Sequence, residues 1–137
     1  TIKHTHHNFE IDKKGKDSFK HRQNGAHEVL IGGSSNFALI HSGIKSTEYS
    51  IHDLKKKLSK ENDLILVEGF KRSDLPKIEV YHSCLNKEVL WENNRSIKAF
   101  VYDTDDNTVQ KCNLPKYKFE ETKKIADFIS NFLELQI

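Results

Sequence analysis

The sequence predicts an α/β fold with a mostly parallel sheet flanked by helices, and three observations lead to this class. Apolar runs without polar alternation, such as Leu64–Val67 and the "IKAFVYD" segment, are typical of strands that helices cover on both faces. Segments with apolar residues at helical spacing alternate with these runs. The turn residues "GGSS" separate two strand-like runs, so Val29–His41 is expected to form a β-hairpin inserted into the fold.

The first elements in chain order are the end of a strand, a polar loop and a short helix. Thr1–Lys3 can be the end of a strand, and a polar loop follows it. Asp17 or Ser18 can cap a helix that runs to about Asn24, and Gly25 suits the position that ends it. The hairpin follows this helix.

The second half of the chain is predicted to alternate helices and strands. Ser50 and Asp53 form an S-x-x-D capping box that opens a helix. Leu64–Val67, "KIEVY" and "IKAFVYD" are then three strands. Asp103–Pro115 is expected to be a polar loop, and the apolar stripe of Lys118–Glu134 predicts a final amphipathic helix.

Composition limits the class of protein. A chain of 137 residues is expected to form one domain over residues 1–137. The 22 Lys and Arg residues nearly balance 20 Asp and Glu, and this balance by itself argues neither for nor against nucleic acid. A dedicated nucleic-acid binder usually shows a concentrated basic face, and we expect no nucleic-acid partner. No apolar run reaches the ~20 residues of a membrane span, so we expect no membrane partner. Cys84 and Cys112 are too few for a disulfide framework, which favours the reducing cytoplasm.

The stretch "DLILVEGFK" is the most informative candidate for a site. An apolar strand delivers Glu68 at its carboxyl end, where parallel sheets bind ligands. A carboxylate there can present an acid to Mg²⁺ or to an attacking water, and Gly69 can let the backbone approach a phosphate. The alternative is a glutamate that is simply hydrogen-bonded at the sheet edge.

The opening stretch "TIKHTHHNFEID" is a second candidate. If Thr1–Lys3 ends a parallel strand, the residues after it emerge at the same ligand edge: His4, His6, His7 and Asp12. Imidazoles suit zinc or nickel, but a closed metal site needs about four ligands. Contact of lysine and histidine with a phosphate is the favoured alternative, since both donate hydrogen bonds to an anion. The sequence contains no G-x-x-x-x-G-K-S/T phosphate loop.

Three stretches together resemble the MobB family of molybdopterin-guanine dinucleotide biosynthesis adapter proteins: "TIKHTHHNFEIDKKGKDSFKHRQNGA", "DLILVEGFK" and "LPKIEV". The resemblance extends from Thr1 to the C-terminus and is strongest through Ala26 and over Asp63–Val80. It implies a P-loop NTPase-like fold. Family members carry a strand, a Walker A loop and a helix ahead of the position that matches Thr1. We therefore expect this chain to be that domain without its first strand, P-loop and first helix.

The resemblance implies a GTP-binding adapter in molybdenum cofactor biosynthesis. Such a protein assists the guanylyltransferase MobA, which joins GMP to molybdopterin, and is at most a weak Mg²⁺-dependent GTPase. GTP, Mg²⁺ and molybdopterin are the implied ligands, and a homodimer is the implied assembly. The alternative hypothesis is a histidine-rich metal-binding or metal-delivery module related to nickel-handling GTPases.

The resemblance also assigns roles to individual residues. Glu68 is implied to act in catalysis by holding Mg²⁺ or positioning water, with Asp12 as a second metal ligand. The remaining matched positions are implied to contact nucleotide or cofactor: Lys3, His4, His7, Gly69, Lys71, Lys77 and Asp103. Among these, Lys71 and Lys77 are expected to face the pterin phosphate, and Asp103 to accept from guanine N1 and N2.

Overall fold

The computed structural model describes residues 1–5, 9–43, 49–85 and 87–135 of the chain. The strands are β1 (Ile2–Lys3), β2 (Glu28–Gly32), β3 (Phe37–His41), β4 (Val67–Glu68), β5 (Lys77–Tyr81), β6 (Ile97–Tyr102) and β7 (Lys116–Lys118). The helices are α1 (Asp17–Gln23), α2 (Ile51–Lys55), α3 (Asn107–Lys111) and α4 (Thr122–Phe132), with a 3₁₀ turn at Ser83–Leu85. None of the helices in these ranges is long and apolar enough to cross a membrane.

The chain divides into two compact units, Thr1–Lys71 and Arg72–Ile137. The described strands form three sheets: β1 with β4, β2 with β3, and β5, β6 and β7 together. The mixed α/β class with parallel strands is confirmed, but the described parallel strands lie in two small sheets rather than one. The organisation as one domain stays a prediction.

In the first unit, β1 and β4 pair in parallel, with Ile2 opposite Val67 and Lys3 opposite Glu68. The predicted strand end at Thr1–Lys3 is therefore confirmed, and so is its parallel direction. The predicted hairpin is also confirmed, because β2 and β3 pair antiparallel with Leu30 opposite Leu39.

The prediction of a buried strand over Leu64–Val67 is wrong. Only Val67 and Glu68 are in a strand, and the side chains of Leu64 and Leu66 are 36% and 49% exposed. A continuous apolar run becomes a buried strand only where neighbouring elements cover both of its faces. Within the described residues β4 pairs with β1 alone, and β1 has only two residues.

Local signals set the ends of the first helices. Gly25 ends α1 as predicted, since its φ of +91° is easily adopted by glycine. The predicted cap is wrong, because Lys16 takes the N-cap position without a side-chain cap and Ser18 donates its hydroxyl to Asp12 instead. The predicted cap that opens α2 is confirmed at Ser50, whose side chain accepts from the Asp53 N–H. The Asp53 carboxylate accepts from the Ser50 hydroxyl and not, as in a full capping box, from the Ser50 N–H.

The second unit is built on the parallel sheet β5–β6–β7, with β6 in the middle. The predicted burial of the "IKAFVYD" run is confirmed, because every residue of β6 except Lys98 is buried. Phe100 is fully buried and packs with Tyr102, Val109 and Cys112 into the core of this unit.

Two predictions near the C-terminus are corrected. The polar loop predicted for Asp103–Pro115 contains α3, which Asp106 caps by accepting from the Thr108 and Val109 N–H groups. The final helix is α4, shorter than the predicted Lys118–Glu134, because the residues before it form β7. Its stripe is also less buried than predicted, since Phe132 and Leu133 are each 43% exposed.

Candidate functional site

The carboxyl ends of β1 and β4 lie side by side in the first unit. The Ile2 N–H donates to the Leu66 carbonyl and the His4 N–H donates to the Glu68 carbonyl, each at 2.8 Å. Because the strands are parallel, the chain leaves both of them at the same edge. The opening loop and the V-E-G-F-K segment therefore begin next to each other, although Lys3 and Glu68 are 65 residues apart in sequence.

Lys3 and Glu68 form an ion pair at this edge. The Lys3 Nζ lies 2.8 Å from Oε1 and 3.0 Å from Oε2 of Glu68, so both carboxylate oxygens accept from one ammonium. The two side chains are 70% and 71% exposed. An ion pair in water contributes little to stability, and a ligand can therefore separate the two charges at small cost.

Gly69 and His4 pack directly against each other. Gly69 has a φ of +93°, and a Cβ on it would lie 2.7 Å from the Cβ of His4. Phe70 also has a positive φ, 48°, and its ring lies against the His4 ring with centroids 4.4 Å apart. The structure thus shows a second reason for glycine here beside the predicted approach of a phosphate: the His4 side chain occupies the space of a Cβ.

Asp12 has one occupied and one unpartnered oxygen. Its Oδ1 accepts from the Lys13 N–H at 2.8 Å and from the Ser18 hydroxyl at 2.9 Å. Its Oδ2 is buried and has no hydrogen-bond partner. A carboxylate oxygen in this state suits Mg²⁺, which prefers oxygen ligands.

The remaining predicted residue of this unit, Lys71, is exposed. It makes no hydrogen bond or ion pair with any residue in the described part of the chain. His6 and His7 lie outside the described residues. No group of three or more His, Cys, Asp or Glu side chains in the described ranges is arranged to hold a metal ion. The structure thus groups Lys3, His4, Glu68 and Gly69, and it places Asp12 against α1 through Ser18.

In the second unit, the ammonium of Lys77 donates hydrogen bonds mainly to backbone carbonyls. Its Nζ donates to the carbonyls of Ser73 and Leu75, the latter at 2.8 Å, and to the Ser96 hydroxyl at 3.3 Å. Burial lowers the pKa of Lys77, and the Asp74 carboxylate partly opposes this. All three of its donors thus have partners inside the protein, and they hold the turn before β5.

Asp103, the other predicted residue of this unit, joins the ends of two parallel strands. Its Oδ1 accepts from the backbone N–H groups of Ser83 and Thr104, and its Oδ2 accepts from the Ser83 hydroxyl and lies 2.6 Å from the His82 Nδ1. The Ser83 N–H, above all, lowers the pKa of Asp103. The carboxylate therefore ties the residues after β5 to the end of β6.

Sequence reasoning missed several polar groups near these residues. His82 and Ser83 directly follow the strand-like run "KIEVY", which is the signal that could have placed them at a ligand edge. Tyr81 donates its hydroxyl to Asp106 at 2.9 Å, and this bond raises the pKa of the tyrosine. Arg22 in α1 carries two buried nitrogens without partners, and no local pattern points to that state.

The fold and the site define a class of protein: an α/β protein with charged and imidazole side chains at the ends of parallel strands. The chain matches the family model described as molybdopterin guanine dinucleotide synthesis protein B, MobB, over residues 1–103. It is 31% identical over 134 residues to the molybdopterin-guanine dinucleotide biosynthesis adapter protein of Haemophilus influenzae. The aligned region covers 96% of this chain and 71% of that protein. It is 37% identical over 81 residues to the protein of the same name from Escherichia coli K12, covering 58% of this chain and 46% of that protein. The chain belongs to the MobB family.

Proposed function

We propose that this protein is an adapter in the biosynthesis of molybdopterin guanine dinucleotide. The family match over residues 1–103 and the names of the two relatives support this role. The proposed action is to bind GTP with Mg²⁺, in a P-loop NTPase-like fold, and to assist a MobA-like guanylyltransferase that joins GMP to molybdopterin. Cys84 and Cys112 are both free thiols, which supports a reducing, cytoplasmic setting.

The observation that carries the nucleotide proposal is the joint ending of β1 and β4. Ligands of α/β proteins bind outside the carboxyl ends of parallel strands. Here that edge presents the Lys3 ammonium, the His4 imidazole and the Glu68 carboxylate together. An ammonium and an imidazole can donate to phosphate oxygens, and the carboxylate can contact a metal ion or a water molecule.

The side chains fit Mg²⁺ to different extents. The buried Asp12 Oδ2 has no hydrogen-bond partner, so it fits a cation without losing any contact. Glu68 has to release Lys3 before it can hold Mg²⁺, and a phosphate that accepts from Lys3 would bring that about. When bound, Mg²⁺ would neutralise phosphate charge. The alternative role for Glu68 is to position the attacking water molecule instead of holding Mg²⁺.

The other predicted residues differ in how readily they could bind the pterin phosphate or guanine, because they differ in the contacts that they already make within the protein. Lys71 is exposed and free of contacts with the described residues, so we propose it for the phosphate of molybdopterin. Lys77 and Asp103 would have to give up the hydrogen bonds that hold their own strands before they could take these roles.

We also propose that the protein is a homodimer through the β2–β3 hairpin. Leu30, Leu39 and Phe37 lie on one face of the hairpin and are 65%, 54% and 76% exposed. In the described residues β2 and β3 pair only with each other, so both strands keep an edge that a second copy can pair with. In sedimentation velocity, Leu39→Glu should shift the protein to a monomer and Ser34→Glu in the turn should not.

Calorimetry tests the nucleotide proposal. GTP should bind with Mg²⁺ present, and both ATP as the ligand and removal of Mg²⁺ should weaken binding by about tenfold or more, which corresponds to ~1.4 kcal/mol. Glu68→Gln should reduce the effect of Mg²⁺, whereas the matched control Asp53→Asn in α2 should not. Equal affinity for GTP and ATP, or binding that ignores both Mg²⁺ and Glu68→Gln, would contradict the proposal.

The alternative of a histidine-rich metal module gains no support from the described residues. No group of three or more His, Cys, Asp or Glu side chains that could hold a metal ion occurs among them. His6 and His7 lie outside the described ranges.

A further inference from the structure

Arg22 lies in the last turn of α1 with part of its guanidinium unsatisfied. Its Nε and Nη1 atoms are buried and have no hydrogen-bond partner in the protein. A guanidinium stays charged at any ordinary pH, so it cannot relieve this state by losing a proton. A buried charged donor without an acceptor is destabilising, and native proteins pair such groups almost without exception.

Asp12, on the same side of α1, has the opposite deficit: one of its carboxylate oxygens has no hydrogen-bond donor. The Ser18 hydroxyl donates to Asp12 Oδ1 at 2.9 Å, which holds the carboxylate against the helix. Ser18 and Arg22 are four residues apart in α1, so they lie on one face, separated by about one turn. The Asp12 Oδ2 is buried without a hydrogen-bond partner, and no ion pair between Asp12 and Arg22 occurs in the described part of the chain.

The Arg22 guanidinium needs an acceptor and the Asp12 carboxylate needs a cation or a donor. A phosphate with a bound divalent cation would satisfy both. We propose that Arg22 binds a phosphate group of the protein's ligand through its buried guanidinium nitrogens, while Asp12 faces the cation that accompanies that phosphate. Direct pairing of the two side chains would satisfy both, but the structure keeps them apart. This inference rests on the proposed nucleotide function and adds a residue that the sequence motifs did not single out.

Lys20 shows what an ordinary cation of the same helix does. Its side chain is 63% exposed and its ammonium lies 3.2 Å from Asp17 one turn earlier, which is the arrangement expected of a solvated surface pair. Both Lys20 and Arg22 lie in the last turn of α1, where cations interact favourably with the helix dipole. That effect is shared by both residues, so it does not explain why only Arg22 buries donors without acceptors. Lys20 is therefore a matched control for charge and position.

The test uses the Nε–H resonances of arginine in ¹⁵N-labelled protein, with Arg22→Lys as the assignment variant. Addition of GTP with Mg²⁺ should shift the Arg22 resonance and slow its exchange with solvent. Addition of glycerol phosphate, both without GTP and with GTP present, distinguishes the second source of phosphate, a monoester such as that of the pterin. A shift in either arm supports the proposal and tells which phosphate Arg22 contacts.

Calorimetry with variants gives a second measurement. Arg22→Gln should weaken binding of the phosphate ligand identified by NMR by about tenfold or more, because charge-assisted hydrogen bonds are lost. Lys20→Gln should change the affinity by less than about twofold, as expected for an exposed charge. Arg22→Lys keeps the charge and provides a second measurement if Arg22→Gln does not fold. It should bind with intermediate affinity.

The proposal is overturned if neither phosphate moves the Arg22 resonance, or if Arg22→Gln and Lys20→Gln weaken binding equally. Its failure is distinguishable from that of the nucleotide proposal. Binding of GTP, with an Arg22 resonance that neither GTP nor glycerol phosphate moves, sinks this inference alone. Absence of GTP binding together with a shift on adding glycerol phosphate sinks the nucleotide proposal alone.

Discussion

Replacement of Gly69 by alanine should destabilise the first unit by an amount that the structure allows to be separated into two parts. The φ of +93° disfavours an L-residue by about 1–2 kcal/mol. The new Cβ would also lie 2.7 Å from the His4 Cβ, so the backbone next to the β1–β4 pair has to shift. Overpacking of this kind costs typically about 1–3 kcal/mol. The expected total is therefore about 2–5 kcal/mol, the sum of the two ranges.

Gly15 provides the matched control. It has nearly the same φ, +88°, but nothing lies within 4 Å of where its Cβ would be. Gly15→Ala should therefore show only the conformational part of the loss. Urea denaturation of both variants measures the difference, which should be about 1–3 kcal/mol larger for Gly69→Ala. Equal losses of unfolding free energy in the two variants would refute the close contact between Gly69 and His4.

Three further predictions concern the second unit. Asp106→Ala should lower the unfolding free energy by about 1–2 kcal/mol through loss of the α3 cap, as measured by urea denaturation, and an unchanged value would contradict the cap. The folded-state pKa of Asp103 lies below its ordinary value of 3.8, so its contribution to stability is present above that pH and is lost as the pH falls through the folded-state pKa. Asp103→Asn should therefore flatten the stability profile in acid, and an unaltered acid slope would count against this role. A thiol reagent should label the exposed Cys84 in the native protein and reach the buried Cys112 only after denaturation, so equal native labelling in mass spectrometry would be inconsistent with the core.

The sequence predicted best those elements whose signals are local or whose burial is complete. The apolar run of β6 and the antiparallel hairpin left patterns that depend on nothing distant. The helix cap at Ser50 is likewise a contact between residues three apart. These predictions succeeded because the residues that decide them are neighbours in the chain or face one continuous core.

The wrong predictions concern elements whose structure depends on other parts of the molecule. Leu64 and Leu66 are as apolar as a buried strand requires, but burial needs covering elements that their own sequence does not supply. The short helix α3 buries only Val109 of its five residues, which is too little for a helical period to stand out. In the candidate site, the meeting of Lys3 with Glu68 followed from parallel strand ends, whereas the unpartnered nitrogens of Arg22 depend on tertiary packing alone.

Locating the metal–nucleotide complex on the protein tests whether the joint ending of β1 and β4 is the nucleotide site. Mn²⁺ can replace Mg²⁺ in the complex with GTP, and its unpaired electrons broaden the NMR signals of nearby backbone amides. If the nucleotide binds where β1 and β4 end together, the amides of Lys3, His4, Glu68 and Gly69 should broaden together at low Mn²⁺. Broadening confined to residues elsewhere, such as the β2–β3 hairpin, with these four signals unchanged would contradict it.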